Sequence, residues 1–367
     1  MASMGQGMSR NAILFLSATV LAVVIAGYAL VGRNASTGPT FESLPMFPEL
    51  ADQLDDVTRI AIETSEGEFE VMRDQNGIWV LPDRSNYPAS LAIVRATVRG
   101  VTTIELLEKK TARPERHEAI GLIAPSAGGD GVVLSLLGSG DRVLARLIFG
   151  TIQRGGTGNA ISLFYVRRAD EDQTWLAQSS LDVKDEITSW IDKNIIGIQR
   201  SDIRAVHITP KEGAAYKLSR ASLDESDFTL ADIPVGRTAQ SNFIVNTPAY
   251  ALAALAITDV TAAEQVDFSA ASRASYETFD NIAVDLDLAV AEDGHWIRIE
   301  ARFIEPEGAL EETEEAAANS ARDRVAEINA RAEGWVYSIP EFKYDQFTKP
   351  LEELVKPLED PSDENEK

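Results

Sequence analysis

The stretch Asp56-Val57-Thr58-Arg59-Ile60-Ala61-Ile62-Glu63-Thr64-Ser65-Glu66-Gly67 is written a second time as Asp202-Ile203-Arg204-Ala205-Val206-His207-Ile208-Thr209-Pro210-Lys211-Glu212-Gly213. Val57 matches Ile203, Ile60 matches Val206, and Ile62 matches Ile208, without a gap. The closing Glu-Gly pair matches too. A repeat at this spacing predicts two copies of one folding unit, each with its own core.

Each copy continues in the same way. Phe69 to Arg73 and Tyr216 to Arg220 alternate as half-buried strands do, so a Gly-bearing turn between two such runs predicts a β-hairpin. A third strand follows at Trp79-Val80-Leu81 and at Phe228-Thr229-Leu230. Helices are predicted at Ala89–Val101, from Leu91, Val94, Val98 and Val101, and at Pro248–Ile257, where Pro248 suits a first turn. Val132–Leu136 and Val143–Phe149 read as two further strands, matched with Ile282–Leu288 and Trp296–Phe303. A last strand precedes a closing helix in each copy: Leu163–Val166 before 185–192, and Gly334–Ile339 before 346–355. Strand runs interrupted by one amphipathic helix argue an α+β fold with largely antiparallel sheets.

The N-terminal region predicts a membrane anchor. Ala12 to Val31 holds no charged residue. At about 1.5 Å per residue it covers the roughly 30 Å hydrocarbon core, longer than the apolar region of a cleaved signal. The predicted organisation is a head at 1–11, a transmembrane helix at 12–32 and a Pro-containing linker at 33–54. The repeats follow at 55–200 and 201–356, and an acidic, disordered tail at 357–367. A short head before a large acidic body places the body outside the cytoplasm, as an inner-membrane, single-pass protein with its bulk in the periplasm. The apolar phrase Phe41–Pro48 either lies on the bilayer or packs on the first domain.

A net charge of −24 repels phosphate backbones and argues against nucleic-acid binding. The chain has no cysteine, which excludes disulfides, thiolate metal sites and a cysteine nucleophile. His117, His207 and His295 are widely separated, in no metal-ligand spacing, and no Gly-x-Ser-x-Gly elbow occurs. The Gly-rich run Gly150–Asn159 lacks the Gly-Lys-Ser/Thr ending of a nucleotide loop and precedes a strand, so it reads as a connection. No catalytic, cofactor-binding or metal-binding residue is therefore assigned, and no enzymatic activity is expected.

Two segments stand out for partner binding. One is Arg154, in that Gly-rich loop. The other is the acidic cluster around Glu311, Glu312, Glu314 and Glu315, which opens an inserted charged helix within 305–333. Acids near its start and arginines near its end suit the helix dipole. Being present in one copy only, it is expected to be a solvated docking arm.

The order of several motifs resembles the bacterial family called domain of unknown function 4340. They are Val57–Ile62, then Met72-Arg73 with Gly77-Ile78-Trp79-Val80-Leu81, then Ile120-Gly121-Leu122 with Pro125. Leu147-Ile148-Phe149-Gly150 and Phe164-Tyr165-Val166-Arg167 complete the series. The resemblance covers about Leu54 to Leu230. It implies a membrane-anchored, extracytoplasmic protein that accompanies the permease and ATPase of an ABC transporter of the gliding-motility type, and it carries no catalytic residue. The segment 305–333 departs from the family pattern. The expected function is a non-catalytic accessory or scaffold subunit of such a complex, or of another envelope protein. The alternative is a periplasmic module that captures a lipid or polymer between the repeats; a hydrolase is a third reading, without motif support.

Overall fold

The computed structural model describes residues 43–154, 161–306, 308 and 311–358. The predicted head, transmembrane helix and most of the linker lie outside the described residues, as does the tail beyond Leu358. Among the described residues no helix is long and apolar enough to cross a membrane.

The first half of the chain forms one ten-stranded antiparallel sheet. Its strands are β1 (Leu44–Pro45), β2 (Arg59–Thr64), β3 (Gly67–Arg73), β4 (Trp79–Leu81), β5 (Tyr87–Pro88), β6 (Glu105–Lys109), β7 (Val132–Leu137), β8 (Val143–Arg154), β9 (Ser162–Arg168) and β10 (Thr174–Ser179). Helix α1 (Leu91–Thr102) lies between β5 and β6. The second half runs β11 (Ile203–Thr209), β12 (Tyr216–Ser219), β13 (Thr229–Leu230), β14 (Arg237–Ala239), α2 (Asn242–Tyr250), β15 (Asp259–Ala262), β16 (Ser272–Thr278), β17 (Ile282–Ala291) and β18 (Gly294–Phe303). It closes with α3 (Glu312–Ala332), β19 (Trp335–Ile339), α4 (Glu341–Phe347), α5 (Leu351–Leu354) and β20 (Val355–Pro357). Eight of these strands form the second sheet, while β14 and β20 pair separately.

The two sheets share one topology. From the β4 side the first reads 4-3-2-7-8-9-10-6, and from the β13 side the second reads 13-12-11-16-17-18-19-15. The matching is strand for strand and every pairing in it is antiparallel. The expected duplication and α+β character therefore hold, but the matching of the later strands shifts by one. The partner of β7 is β16, a strand not read from the sequence, so β8 matches β17 and β9 matches β18. Strand β19 matches β10, also unread, rather than Leu163–Val166.

Local chemistry accounts for the elements that were legible and for those that were not. Thr64 and Gly67 face each other across the two-residue turn of the β2–β3 hairpin, where Gly67 takes φ +143°. The second helix starts earlier than expected, with Ser241 as its N-cap. Pro248 sits in its last turn, and its carbonyl accepts the buried Tyr276 hydroxyl at 2.7 Å. The closing helix at 185–192 is only a short 3₁₀ turn, Ile187–Trp190. The one at 346–355 splits into α4 and α5 before Leu351, where Pro350 cannot continue the helical hydrogen bonds.

One continuous core runs through both sheets, from Met46 and Ile60 to Tyr276, Phe347 and Leu354. A smaller cluster of Leu122, Val133 and Ile148 fills the opposite face of the first sheet under the loops that follow Pro114. The end of the linker belongs to the first core. Leu44 and Pro45 pair with Leu106 and Glu105, and Met46 is buried. An Arg168 nitrogen donates to the Met46 carbonyl, and the guanidinium lies over the Phe47 ring.

Candidate functional site

The seam between the repeats is built from the segment connecting β4 to α1. Residues Pro82–Arg84 make a short 3₁₀ turn that ends in two left-handed residues, Ser85 and Asn86. This turn aims Arg84 at the edge strand β15 of the second sheet. Its guanidinium meets Asp259 in a two-pronged bond, Nε to Oδ1 at 2.6 Å and Nη2 to Oδ2 at 2.9 Å. Tyr87 then enters the core edge-on to Trp335, with centroids 5.1 Å apart, and to Tyr337 at 6.1 Å. Its hydroxyl donates to the Asp192 carbonyl at 2.8 Å. Burial pushes the Tyr87 phenol up to about 12 and raises that of Tyr337 as well. Buried aromatic rings thus fill the junction.

The residues expected to bind a partner are not brought together. Arg154 ends β8 in the first sheet, paired with Leu163. The four acids belong to the start of α3, beside the second sheet. Glu311 and Glu314 close a reciprocal capping box, and the Glu314 carboxylate accepts the Glu311 N–H at 3.0 Å. Arg322 reaches both Glu305 and Glu315, and these two acids raise its pKa, Glu305 most strongly. These acids satisfy the helix end.

Helix α3 is more than a solvated arm. It buries Ala318, Ala321, Ile328 and Ala332. Strand β19 pairs with β18 only over His295–Ile297, which leaves the far part of the β18 edge for α3 to cover. Asn329 stands in for a neighbouring strand there. Its Oδ1 accepts the Ala301 N–H and its Nδ2 donates to the Ala301 carbonyl, both at 2.8 Å. Arg324 pairs with Asp280, and the Tyr337 hydroxyl donates to the Arg331 carbonyl at 2.9 Å. The insertion protects a sheet edge that would otherwise invite pairing with another chain.

The histidines have structural surroundings. His117 is buried and its Nε2 lies 3.0 Å from the Asp172 carbonyl, within short 3₁₀ turns rather than a charged helix. His295 stacks against Tyr344 at 4.7 Å. His207 is exposed on the polar face of the second sheet, as expected. There it borders a groove in which Arg273 and Arg298 pair with Asp287. Among the described residues no group of three or more His, Asp or Glu is placed to hold a metal ion.

A cleft of about 570 Å³ opens beside the strand ends that lead into the Gly-rich loop. Phe149 and Phe164, 5.4 Å apart, form its apolar part, and Glu118, Asp130, Asp182 and Asp185 its acidic wall. Gly150 also lines it, at a position where a Cβ would stand 2.2 Å from the Ile120 carbonyl oxygen. The wall offers carboxylates without a paired nucleophile and base, so no reaction is assigned to it.

A family model described as Domain of unknown function (DUF4340) matches residues 79–281. The chain belongs to this family. The match starts at β4 and ends just past β16, so it crosses the seam and takes in parts of both sheets. It begins later and runs further than the sequence resemblance. No curated protein and no solved structure matches the chain.

Proposed function

We propose that this protein is a non-catalytic, membrane-tethered scaffold, an accessory subunit of an ABC transporter-type complex with its two-sheet body outside the cytoplasm. One observation carries the reading: the chain leaving the uncharged stretch Ala12–Val31 is stitched at once into the body. Even fully extended, the eleven residues 32–42 reach no more than about 40 Å. Beyond them Leu44–Pro45 is a strand of the first sheet, and Met46 is core. Whatever holds the N-terminus therefore holds the first sheet, and through the Tyr87–Trp335–Tyr337 seam the second. A filled seam supports a scaffold over a module that captures lipid or polymer between the repeats. The family resemblance supplies the transporter link.

The test is purification of the full-length protein in mild detergent from its native cell. Permease and ATPase subunits should accompany it. They should be lost when residues 1–32 are replaced by a cleavable signal. A solitary protein carrying bound lipid or glycan would overturn the scaffold reading in favour of ligand capture.

A further inference from the structure

Each repeat carries the same connection between its third strand and its helix, and among the described residues only the first packs against the other repeat. Leu81-Pro82-Asp83 opens the first and Leu230-Ala231-Asp232 the second. Both close alike. Ala89 bridges Ile191, and the Ser90 N–H donates to the Trp190 carbonyl at 2.7 Å. Ala239 pairs with Val355, and the Gln240 N–H donates to the Leu354 carbonyl at 2.8 Å. The first connection is committed to the seam through Arg84 and Tyr87. Among the described residues the second connection packs against no other element in this way. Asp232 to Arg237 are six consecutive exposed residues, with Val235 fully exposed. Leu358, held to Gly236 by a backbone hydrogen bond of 3.0 Å, adds a further exposed apolar side chain. Ile233 stands where Arg84 stands in the first copy.

The receiving surface is duplicated as well. In the seam it is the edge strand β15, whose counterpart in the first sheet is β6. Strand β6 also begins with an acid, Glu105, and continues through Leu106 and Leu107. β1 covers it only at Glu105 and Leu106. β1 is a strap: two paired residues anchored by buried Met46, whose N–H donates to the Ile104 carbonyl at 2.9 Å and whose carbonyl Arg168 grips. The described residues therefore hold one closed joint, one exposed loop and one matching edge that β1 covers in part. Such an arrangement is the geometry of a head-to-tail interface.

We propose that the Asp232–Arg237 loop is the docking surface for the β6 edge of a second copy of this chain, with β1 as the strap that limits access to that edge. The inference uses only the two sheets and is independent of the tether and transporter reading. Ile233 and Val235 make the contact apolar, whereas the net charge of −24 pushes copies apart. Added salt screens the repulsion and strengthens the association.

The test measures the mass of the full-length chain in mild detergent by light scattering across the micromolar range. Met46→Asp releases the strap. It should give concentration-dependent, salt-promoted oligomers at concentrations at least tenfold below those the unaltered chain needs. Adding Val235→Asp to the same chain should return it to the monomer. Because the chain has no cysteine, an Ile233→Cys chain mixed with a Leu107→Cys chain, both strap-released, should form a disulfide-linked dimer found in neither alone. A strap-released chain with unchanged circular dichroism that stays monomeric throughout would overturn the proposal. Oligomers that survive Val235→Asp would overturn it too, since a bare β6 edge would then be pairing with itself. If Met46→Asp fails to fold, Arg168→Ala, which removes only the grip on the Met46 carbonyl, is read by the same criteria.

Discussion

The first repeat passes from β9 to β10 through a short turn at 169–173, whereas the second places the 21-residue helix α3 between β18 and β19. The strands on either side keep the same order in both sheets. The difference lies in edge coverage. In the first sheet β10 pairs with β9 over six residues, Thr174–Ser179. In the second, β19 reaches only three residues of β18, and Asn329 supplies the hydrogen bonds that a longer strand would have made. An insertion that reads as a surface arm is thus a repair of the sheet it interrupts. The seam shows the reverse case: the same connection is buried in one repeat and bare in the other.

The largest effect expected on this comparison comes from alkali. Tyr87, Tyr216, Tyr276 and Tyr337 all have phenol pKa values raised by burial. The unfolded chain releases these protons near pH 10, while the folded chain still holds them. Stability is therefore fully present below about pH 10 and falls as pH rises towards 12 and beyond. The chain has eight tyrosines, so the seam signal is the phenolate absorbance that a Tyr87→Phe, Tyr337→Phe chain lacks, and it should appear together with the change in circular dichroism above pH 10. That difference signal appearing at pH 10 with the fold intact would show that the seam rings are not sealed.

Next in size is the seam itself. Tyr87→Ala removes a ring packed on Trp335 and Tyr337 and should cost about 3–5 kcal/mol in denaturant unfolding. A loss below about 1 kcal/mol would mean that the repeats do not stabilise one another. Asn329→Ala should follow at about 1–3 kcal/mol, because it strands the Ala301 N–H and carbonyl at a partly buried edge. An unchanged midpoint would return α3 to the role of a solvated arm. Arg84→Ala should cost the least, about 0.5–1 kcal/mol, since the Arg84–Asp259 pair stays about a quarter to a third exposed.

The parts of this fold that could be read in the sequence are those whose buried faces are branched or aromatic. Ile60, Ile62, Phe69 and Val71 announce the first hairpin, and Val94, Val98 and Val101 the face of α1. Strands β10 and β16 escaped because their buried faces carry Thr174, Ala177 and Ser179, and Ser272, Ala274, Tyr276 and Thr278. Small and hydroxyl residues fit between neighbouring strands without an aliphatic alternation. A tryptophan in each of the matched strands, Trp175 and Trp335, was the available signal for β10. The acids of α3 were visible as a cluster, but the part of the helix in covering the sheet depends on Asn329 and Ala301, 28 residues apart, meeting across an unpaired edge. That Arg84 and Tyr87 meet the other repeat while Ile233 and Val235 stay exposed depends on how the two repeats pack, which local sequence does not encode.

The central claim is that the two repeats form one cooperative body through the Tyr87 seam. Hydrogen exchange of the full-length protein, followed by mass spectrometry through increasing denaturant, tests it most directly. The account predicts that β2 and β7 of the first sheet and β11 and β16 of the second lose protection at the same midpoint, and that Tyr87→Ala separates them. Two midpoints in the unaltered protein, with the second sheet indifferent to Tyr87→Ala, would contradict it.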